Sequence, residues 1–399
     1  MAGSEPEQIG TADLVVGLIP ALHDGPVIAD AIRRILQFTP PLQAVLIHPP
    51  YSSEGTEPTP SHPQWRLVAD PRLAQDRTAM AQSLGDSFRV MFEASRYAGA
   101  RTCAVIASDL STVTGDWVER LLQPALDEHF DLVAPSYARH PFEGLINRAI
   151  IYPLVRALYG KRIRNPLGPD FGISNRLLER MNGGPRGRIH PLASLATEAA
   201  TGGMKICQAH LGPRVLPKPD WPNLGSLLSQ VLSPLFLDVE RYASYWQHAR
   251  NSEPIPEFGE AIFSAGPESA VEVAKLIESF ALGTRNLPEV WGMILPPSTM
   301  VELRRLARQD SGSFSLPDET WARIVYDFAL AHRLRTISRD QMLRAMTPIY
   351  LGWVASYALE LENATPEAVE QRLERLCIAY ENTKSYFISR WRWPDRFNP

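Results

Sequence analysis

Continuous apolar runs alternate with helix-spaced segments through the first part of the chain. The apolar runs lie at 13–19, 44–48, 65–69, 102–109 and 131–137. Uninterrupted apolar strands are typical of a parallel sheet that is covered on both faces. Between them, segments such as VIADAIRRILQF and GDWVERLLQPAL carry apolar residues at helical spacing. This alternation predicts an α/β fold with a doubly wound, mostly parallel sheet.

The hydrophobic pattern changes after about residue 225. From Leu224 to Asn398 the chain consists of amphipathic helical segments, separated by short stretches rich in Pro, Gly and Ser. The length of 399 residues also exceeds what a single hydrophobic core serves efficiently. We therefore predict a disordered tail at 1–12, an α/β domain at 13–225 and an all-α domain at 226–399.

Charge and cysteine usage exclude several classes of protein. The formal net charge is −4 and no block of like charges occurs, which argues against a nucleic-acid partner or a polybasic membrane patch. The cysteines are far apart and form no CxxC pair, which favours reduced thiols over a disulfide framework. The N-terminus has no apolar signal-peptide core, and the most apolar stretch, 145–158, is interrupted by charges. We therefore expect a cytoplasmic protein without a membrane span.

Four loops follow predicted strands at their carboxyl ends: 20–25, 48–56, 109–112 and 136–143. Ligands of open α/β sheets bind at this edge, where the strand order reverses. Asp109 directly follows an apolar run, so its carboxylate could bind a divalent cation that neutralises a substrate diphosphate. Alternatively, Asp109 caps the turn before the next helix, as Asp and Ser often do. Both interpretations remain open, and the spacing alone favours capping.

Two long segments resemble one known enzyme family. They are AVIASDLSTVTGDWVERLL and DLVAPSYARHPFEGLINRAIIYPLVRALYGKRIRNPLGPDFGIS, and shorter matches follow in GMKICQAHLG, TWARIVYDFALAHR and TPIYLGWVASYALE. The chain resembles retaining GT-A glycosyltransferases of the glucosylglycerate synthase group, with glucosyl-3-phosphoglycerate synthase and mannosylglycerate synthase as more distant relatives. The resemblance implies a GT-A domain followed by a helical domain. It also implies a nucleotide-diphosphate sugar as donor and a small carboxylate acceptor such as glycerate or phosphoglycerate.

The resemblance further assigns roles to individual residues. These are Pro20, Gly85, Ser108 and Asp109 for the nucleotide sugar, Asp109 for a divalent metal (Mg²⁺ or Mn²⁺), Arg139 and His140 for the acceptor, and Asp170 for catalysis at the sugar. Arginine suits the carboxylate role because its guanidinium can bind a carboxylate in a bidentate manner. From the residues alone, Arg139 and His140 could instead be a solvated loop pair, and Asp170 a turn beside Gly172. For the basic cluster of Lys161, Arg162 and Arg164 we expect a solvated helix end rather than a phosphate site.

Several positions depart from the family's pattern. The Asp-Ser-Asp motif is Ala107-Ser108-Asp109, the Gly-Lys-Gly loop is Ser83-Leu84-Gly85, the sheet-end acidic residue is Pro49, and the late metal-binding histidine falls at about Leu216. His210 or Asp220 could replace that histidine. A lost charge-assisted contact to a buried phosphate costs roughly 1.5–3 kcal/mol, so three losses together predict an affinity or rate lower by on the order of 10³-fold.

Two functions are consistent with these residues. An active hexosyltransferase would act with retention of configuration, using Asp109 for the metal, Arg139 for the acceptor and Asp170 for the sugar hydroxyls. A catalytically impaired homologue would instead be a regulatory or partner subunit, because the substitutions remove metal and phosphate ligands and keep the scaffold. We favour the transferase. A homodimer and a pairing with an active paralogue both remain open.

Overall fold

The computed structural model describes residues 9–19, 25–51, 62–73, 80–107, 110–138, 140–182, 190–214, 223–261, 272–362 and 364–394, without the side chains of 80–84 and 311. The chain divides into two units. The first comprises Met1–Ala138, Ile163–Leu216 and Pro254–Ser264, and the second comprises Arg139–Arg162, Pro217–Glu253 and Ala265–Pro399. Each unit therefore draws on three separate parts of the chain.

The first unit contains an eight-stranded sheet in the order β3-β2-β1-β4-β6-β5-β7-β8. Its strands are β1 (Leu14–Leu18), β2 (Ala44–His48), β3 (Trp65–Ala69), β4 (Thr102–Ile106), β5 (Leu132–Ala138), β6 (Asp170–Ser174), β7 (Ile206–Pro213) and β8 (Glu257–Phe258). Every pairing is parallel except the two that β6 makes with β4 and β5. The predicted α/β class with a mostly parallel sheet is confirmed, and all five predicted strands form.

Helices cover both faces of this sheet. Helices α1 (Gly25–Ile35) and α3 (Gly115–Asp127) share a hydrophobic core with Val16 and Leu18 of β1. On the opposite face, a Cβ added at Gly17 would meet the side chain of Met91 in α2 (Met80–Ala98). Successive strand residues point to opposite faces. Burial on both sides therefore explains why the strand is apolar without alternation. Two short helices, α5 (Asn175–Asn182) and α6 (Leu195–Thr201), complete this unit.

The described part of the second unit is helical. It contains α4 (Tyr152–Tyr159), α7 (Leu224–Arg241), α8 (Ala243–Trp246), α9 (Val273–Asn286), α10 (Pro288–Gly292), α11 (Pro297–Leu306), α12 (Asp318–Leu334), α13 (Arg339–Ala345), α14 (Thr347–Glu360) and α15 (Pro366–Arg392). The predicted helical character of the C-terminal region is confirmed, and α15 packs against both α12 and α4. Among the described residues, no helix has the length and apolar character needed to cross a membrane.

A π-helical segment, Asn147–Ile151, leads into α4. Its wider hydrogen-bonding pattern departs from the regular i→i−4 bonds of an α-helix. The carbonyl oxygen of Ala149 accepts hydrogen bonds from Trp321 Nε1 and from the Tyr380 hydroxyl, both at 2.9 Å. The segment is therefore tied to α12 and α15 by side chains.

Arg156 in α4 is buried, with a side chain that is 1% exposed. Its Nη2 donates to Glu374 Oε1 at 2.7 Å, and its Nε donates to Glu381 Oε1 at 2.9 Å. Burial acts to lower the pKa of this guanidinium, but the hydrogen bonds with Glu374 and Glu381 outweigh it and raise the pKa above its ordinary value. Arg156 thus joins α4 to α15 as a permanent cation between two carboxylates.

Lys384 of α15 is a second buried cation in this unit. Its Nζ donates to the carbonyl oxygens of Ala157 at 2.7 Å and Ala249 at 2.6 Å. Burial lowers the pKa of this ammonium from 10.5 to about 8, although the charge of Glu381 opposes the shift. In the unfolded chain the group keeps its proton up to about pH 10.5. The stability that it contributes is therefore present above pH 10.5 and is lost as the pH falls through about 8.

We expect Lys384→Met to remove this pH dependence. Between pH 8 and 10.5 the free energy of unfolding of the wild type should rise relative to the variant by up to about 3 kcal/mol. Urea unfolding of both proteins at the two pH values measures the difference. Lys275→Met, which changes an exposed lysine, is the control and should leave the pH dependence unchanged. A wild type and a Lys384→Met variant with parallel pH profiles would contradict the prediction.

Candidate functional site

The strand order reverses between β1 and β4, because the chain runs from β1 outward to β3 and then returns to the other side of β1. At the carboxyl ends of these two strands, Ile19 N donates to Ile106 O at 2.8 Å. Open α/β sheets bind ligands at such a reversal. The antiparallel β6 begins at this same edge, with Asp170 opposite Ile106. The edge therefore carries the ends of β1, β2, β4, β5 and β7 and the start of β6.

Asp170 is a fully buried carboxylate at this edge. Its Oδ1 accepts a hydrogen bond from Ala107 N at 2.9 Å, and its Oδ2 accepts one from the Tyr137 hydroxyl. Ala107 N also donates to Pro169 O at 3.1 Å. One carboxylate thus connects the end of β4, the end of β5 and the start of β6. The residue predicted to be catalytic lies at the predicted edge, with both of its oxygens already accepting hydrogen bonds.

Tyr137 and Arg214 form a pair that the sequence did not reveal. The Arg214 guanidinium carbon lies 5.1 Å from the centre of the Tyr137 ring. The centre of the Trp117 ring lies 6.0 Å from the centre of the same Tyr137 ring. Arg214 follows β7, and β7 pairs with β5 in parallel, which brings the two residues to one edge. The sequence feature that could have drawn attention to Arg214 is its place shortly before Leu216, the position of the family's late histidine.

The end of β2 carries an aromatic pair where the family has an acidic residue. His48 Nδ1 donates to Pro49 O at 2.8 Å, and the His48 ring centre lies 5.3 Å from that of Tyr51. Burial lowers the pKa of His48, and its backbone hydrogen bond only partly opposes this. The end of β2 therefore carries a neutral imidazole beside a phenol ring, two aromatic rings in place of the family's carboxylate.

His210, considered above as a substitute for the late histidine, is already engaged in a polar network. Its Nε2 donates to Glu257 Oε2 at 2.8 Å, and Gln208 Nε2 donates to Glu257 Oε1 at 2.7 Å. This network links β7 to the short edge strand β8. Within the described ranges, no group of three or more His, Cys, Asp and Glu side chains lies close enough together to hold a metal ion.

Gly85 lies inside a helix, because α2 begins at Met80. A Cβ at Gly85 would lie 3.2 Å from His190 Nε2, so the glycine is packed against that ring. Burial lowers the pKa of His190, with a further contribution from the nearby charge of Arg89. The backbone amides of a helix interior are bonded within the helix and are not free to surround a phosphate.

His140 belongs to the second unit. Its Nδ1 accepts a hydrogen bond from Phe142 N at 3.3 Å, and the two ring centres are 5.4 Å apart. Phe142 in turn contacts the Tyr357 ring of α14 at 6.1 Å. In the basic cluster, Lys161 Nζ forms an ion pair with Glu253 Oε2 at 2.8 Å.

Several predicted site residues lie outside the described residues. They are Pro20, Ser108, Asp109 and Arg139, together with Asp220, which was considered as a substitute for the late histidine at Leu216. The side chain of Leu84 is likewise not described. The roles assigned to these residues, and those assigned to Gly85, His140 and Asp170, stay predictions.

The comparisons with known proteins give matches to solved structures. No protein-family model matches the chain, and no curated protein matches it. Among solved structures, the chain is similar to Mycobacterium tuberculosis glucosyl-3-phosphoglycerate synthase in complex with Mn²⁺, UDP-glucose and phosphoglyceric acid. The identity is 18%, with 68% of this chain and 94% of that chain covered, at a TM-score of 0.40.

A second structure of the same enzyme, with Mg²⁺ and UDP, is 17% identical over 60% of this chain and 84% of that chain, at a TM-score of 0.39. A further match, described only as a mycobacterial protein, is 20% identical over 58% of this chain and 76% of that chain, at a TM-score of 0.39. The metal ions, nucleotides and phosphoglyceric acid named here are bound in the structures of that synthase.

Proposed function

We propose that this chain is a GT-A-type hexosyltransferase that moves a hexose from a nucleotide-diphosphate sugar to a small hydroxy-acid acceptor with retention. One observation carries the proposal: the buried Asp170 joins Ala107 and Tyr137 at the strand-order reversal of a mostly parallel sheet. This edge is where open α/β sheets bind nucleotides. The extended resemblance between DLVAPSYARHPFEG and the donor and acceptor region of the transferase family supports the same reaction.

Asp170 serves in this proposal as a positioning residue. Its hydrogen bond to Ala107 N fixes the backbone from which Ser108 and Asp109 follow. Asp170 thereby fixes the ends of β4 and β5 at the edge where we propose that the donor binds. Direct contact between Asp170 and the sugar hydroxyls, as the resemblance implies, stays a prediction.

A divalent metal fits the chemistry of the donor segment. Asp109 supplies a hard carboxylate oxygen, and Mg²⁺ is commonly held by one or two carboxylates together with substrate phosphates and water. When bound, Mg²⁺ or Mn²⁺ would neutralise the charge of the leaving diphosphate. Pro20 and Ser108 are the proposed contacts to the nucleotide sugar, and Arg139 and His140 are those to the acceptor. With retention, a donor phosphate oxygen can accept the acceptor's proton, so no carboxylate base is required.

A second candidate function is that of a non-catalytic partner subunit. Two observations favour it: Gly85 is packed inside a helix, and His210 is paired with Glu257. Neither residue is presented as a phosphate or metal ligand in the described structure. The two candidates differ in whether the isolated chain turns over a donor.

We expect the purified chain to bind UDP-glucose or a GDP-hexose in the presence of Mn²⁺ or Mg²⁺, as measured by calorimetry. Asp109→Asn should weaken this metal-dependent binding by roughly 10- to 100-fold, the size of one lost charge-assisted contact. Asp116→Asn, which changes an acidic residue of the first turn of α3, is the matched control. Absence of donor binding with either metal would refute the transferase. Donor binding without turnover on glycerate, phosphoglycerate or related hydroxy acids would favour the partner subunit.

A further inference from the structure

A pocket of about 240 Å³ lies at the edge of the sheet opposite the candidate site. Three neighbouring strands bring its polar residues together, because Arg101 precedes β4, Asp131 precedes β5 and Ser174 ends β6. β6 is antiparallel to both neighbours, so its carboxyl end lies beside their amino ends. A strand rises about 3.3 Å per residue, so the pocket is roughly 20 Å from Ala107 and Tyr137 at the other ends. It is therefore separate from the edge at which we propose that the donor binds.

Two arginines and a histidine line this pocket. The backbone of Arg101 is fixed, because its N donates to Asp13 O at 2.8 Å and its carbonyl oxygen accepts from Asn175 N at 3.0 Å. Its side chain forms no hydrogen bond or ion pair with any residue that the structure describes. The histidine, His129, follows α3 with a backbone φ of 59°, which is uncommon for residues other than glycine. The Arg101 guanidinium is thus kept at the pocket by a fixed backbone, with its donors left for a ligand.

The acidic residue of the lining does not cancel this positive charge. Asp131 is 5% exposed, and its Oδ1 accepts from Ser174 Oγ at 2.9 Å. Its Oδ2 accepts from Lys205 N at 3.0 Å and from Arg176 Nη1 at 3.3 Å. Both carboxylate oxygens are therefore satisfied within the protein, and Arg176 uses one of the five donors that a guanidinium has. Two guanidinium groups against one carboxylate leave the pocket with a net positive charge.

One wall of the pocket is apolar. Leu126 and Phe130 line it, both half-buried, and both pack against the core of the first unit. The Phe130 ring contacts the Phe258 ring edge-on, with the ring centres 5.5 Å apart, which holds it in place. Ligand sites combine an apolar surface with a few polar groups that orient the ligand, and drug-sized ligands need about 300–1,000 Å³. The smaller volume here suits a small molecule with one charged end.

We propose that this pocket binds a small phosphorylated organic molecule, with its phosphate on Arg101 and Arg176 and its carbon skeleton against Leu126 and Phe130. Planar guanidinium groups match phosphate oxygens in bidentate geometry. Inorganic phosphate alone would satisfy the arginines but would leave the apolar wall exposed to water. The inference goes beyond the proposed function and does not depend on it, because the pocket lies at the opposite edge of the sheet.

Calorimetry in EDTA, with inorganic phosphate and phenyl phosphate as probes, tests this proposal. We expect the wild type to bind phenyl phosphate at least about fivefold more tightly than inorganic phosphate, because the phenyl ring covers the apolar wall. Arg101→Gln and Arg176→Gln should each weaken phenyl phosphate binding by about 3- to 10-fold, a modest loss because these arginines are solvent-exposed. Leu126→Asn should remove the preference for phenyl phosphate and leave inorganic phosphate binding within about twofold of the wild type. Arg304→Gln, which changes an exposed arginine of α11, is the control and should bind both probes as the wild type does.

Three results would overturn the inference. They are no binding of phenyl phosphate by the wild type at up to about 10 mM, equal affinity for the two probes, and wild-type affinity in both arginine variants. The last result would place the phosphate elsewhere on the chain, including the donor edge. Circular dichroism checks that each variant is folded. If Arg176→Gln does not fold, Arg176→Lys replaces it, and unchanged affinity in that variant and in Arg101→Gln overturns the inference equally. Failure of the proposed function is read separately, from the binding of UDP-glucose and of a GDP-hexose.

Discussion

Replacing Gly172 by alanine is expected to destabilise the first unit by at least about 3 kcal/mol, because β6 has no room for a side chain at this position. A Cβ at Gly172 would lie 1.8 Å from the carbonyl oxygen of Leu121 in α3. That contact involves backbone on both sides, so no rotamer change can relieve it. Either α3 must move away from the sheet or β6 must leave its place between β4 and β5. Urea unfolding followed by far-UV circular dichroism measures the loss.

The control for this substitution is Gly292→Ala in α10. A Cβ at Gly292 would meet no atom within 4 Å. Alanine is the better helix former by up to about 1 kcal/mol, so this variant should match or slightly exceed the wild type. Equal stability of Gly172→Ala and the wild type would mean that α3 and β6 are not in contact as described here. Because the chain has two units, the unfolding curve needs a test for more than one transition.

β1, β2 and β4 were predictable because each is an apolar run buried on both faces, and burial alone dictates that pattern. β3 is a partly exposed strand at the end of the sheet, and its short apolar stretch was sufficient to indicate it. β6 was not predictable by the same argument. Its sequence, DFGIS, begins with a charged residue and contains glycine, both of which are uncommon in strands. Its position between β4 and β5 depends on Asp170 and on the close approach of Leu121, and both are tertiary contacts.

β7 and β8 were not predicted either, because they too depend on tertiary contacts. In ICQAHLGP, the residues that face away from the core include Gln208 and His210, and their polar groups are satisfied by Glu257. That partner lies in the region whose pattern predicts helices, and β8 itself has only two residues. When a residue far away in the sequence hydrogen-bonds the polar side chains of a strand, the hydrophobic pattern of the strand alone does not predict its burial.

The longest stretch of resemblance contains much that is structural. In YPLVRALYGKRIRNPLGPDFG, Arg156 binds two carboxylates of α15, and Gly160 ends α4 with a φ of 70°. A Cβ at Gly160 would lie 2.7 Å from Asn251 O. Gly172 allows α3 to approach the sheet. These residues have structural roles, so the resemblance over this stretch bears on the scaffold more than on the donor chemistry.

The candidate site was predictable in location but not in composition. The strand-end rule selected the edge at which Asp170 lies, and the resemblance selected Asp170. Tyr137 and Arg214 belong to β5 and to the residue after β7, which are far apart in the sequence, and their contact depends on the pairing of those strands. No spacing rule connects an arginine and a tyrosine at such separation. Distances in the folded chain were needed to find this pair.

Replacing Asp170 by alanine is expected to lower binding of the donor, and turnover where it is detected, by at least about 100-fold. The alanine variant leaves the Tyr137 hydroxyl without its carboxylate and removes one acceptor from Ala107 N. A buried polar group left unsatisfied costs about 1–3 kcal/mol, and Ala107 N keeps Pro169 O as an acceptor, so stability should also fall by about 1–3 kcal/mol.

Asp170→Asn separates positioning from a direct role of the charge. An asparagine amide can accept from Ala107 N through its oxygen and donate to the Tyr137 oxygen through its nitrogen, once the hydroxyl rotates. If Asp170 acts by positioning Ala107 and Tyr137, the asparagine variant should fold and should keep kcat and diphosphate affinity within about tenfold of the wild type. An asparagine variant that folds, binds UDP or GDP normally and yet has a kcat as low as that of Asp170→Ala would show that the carboxylate charge itself acts on the sugar. That result would contradict the positioning role and restore the direct contact that the resemblance implies.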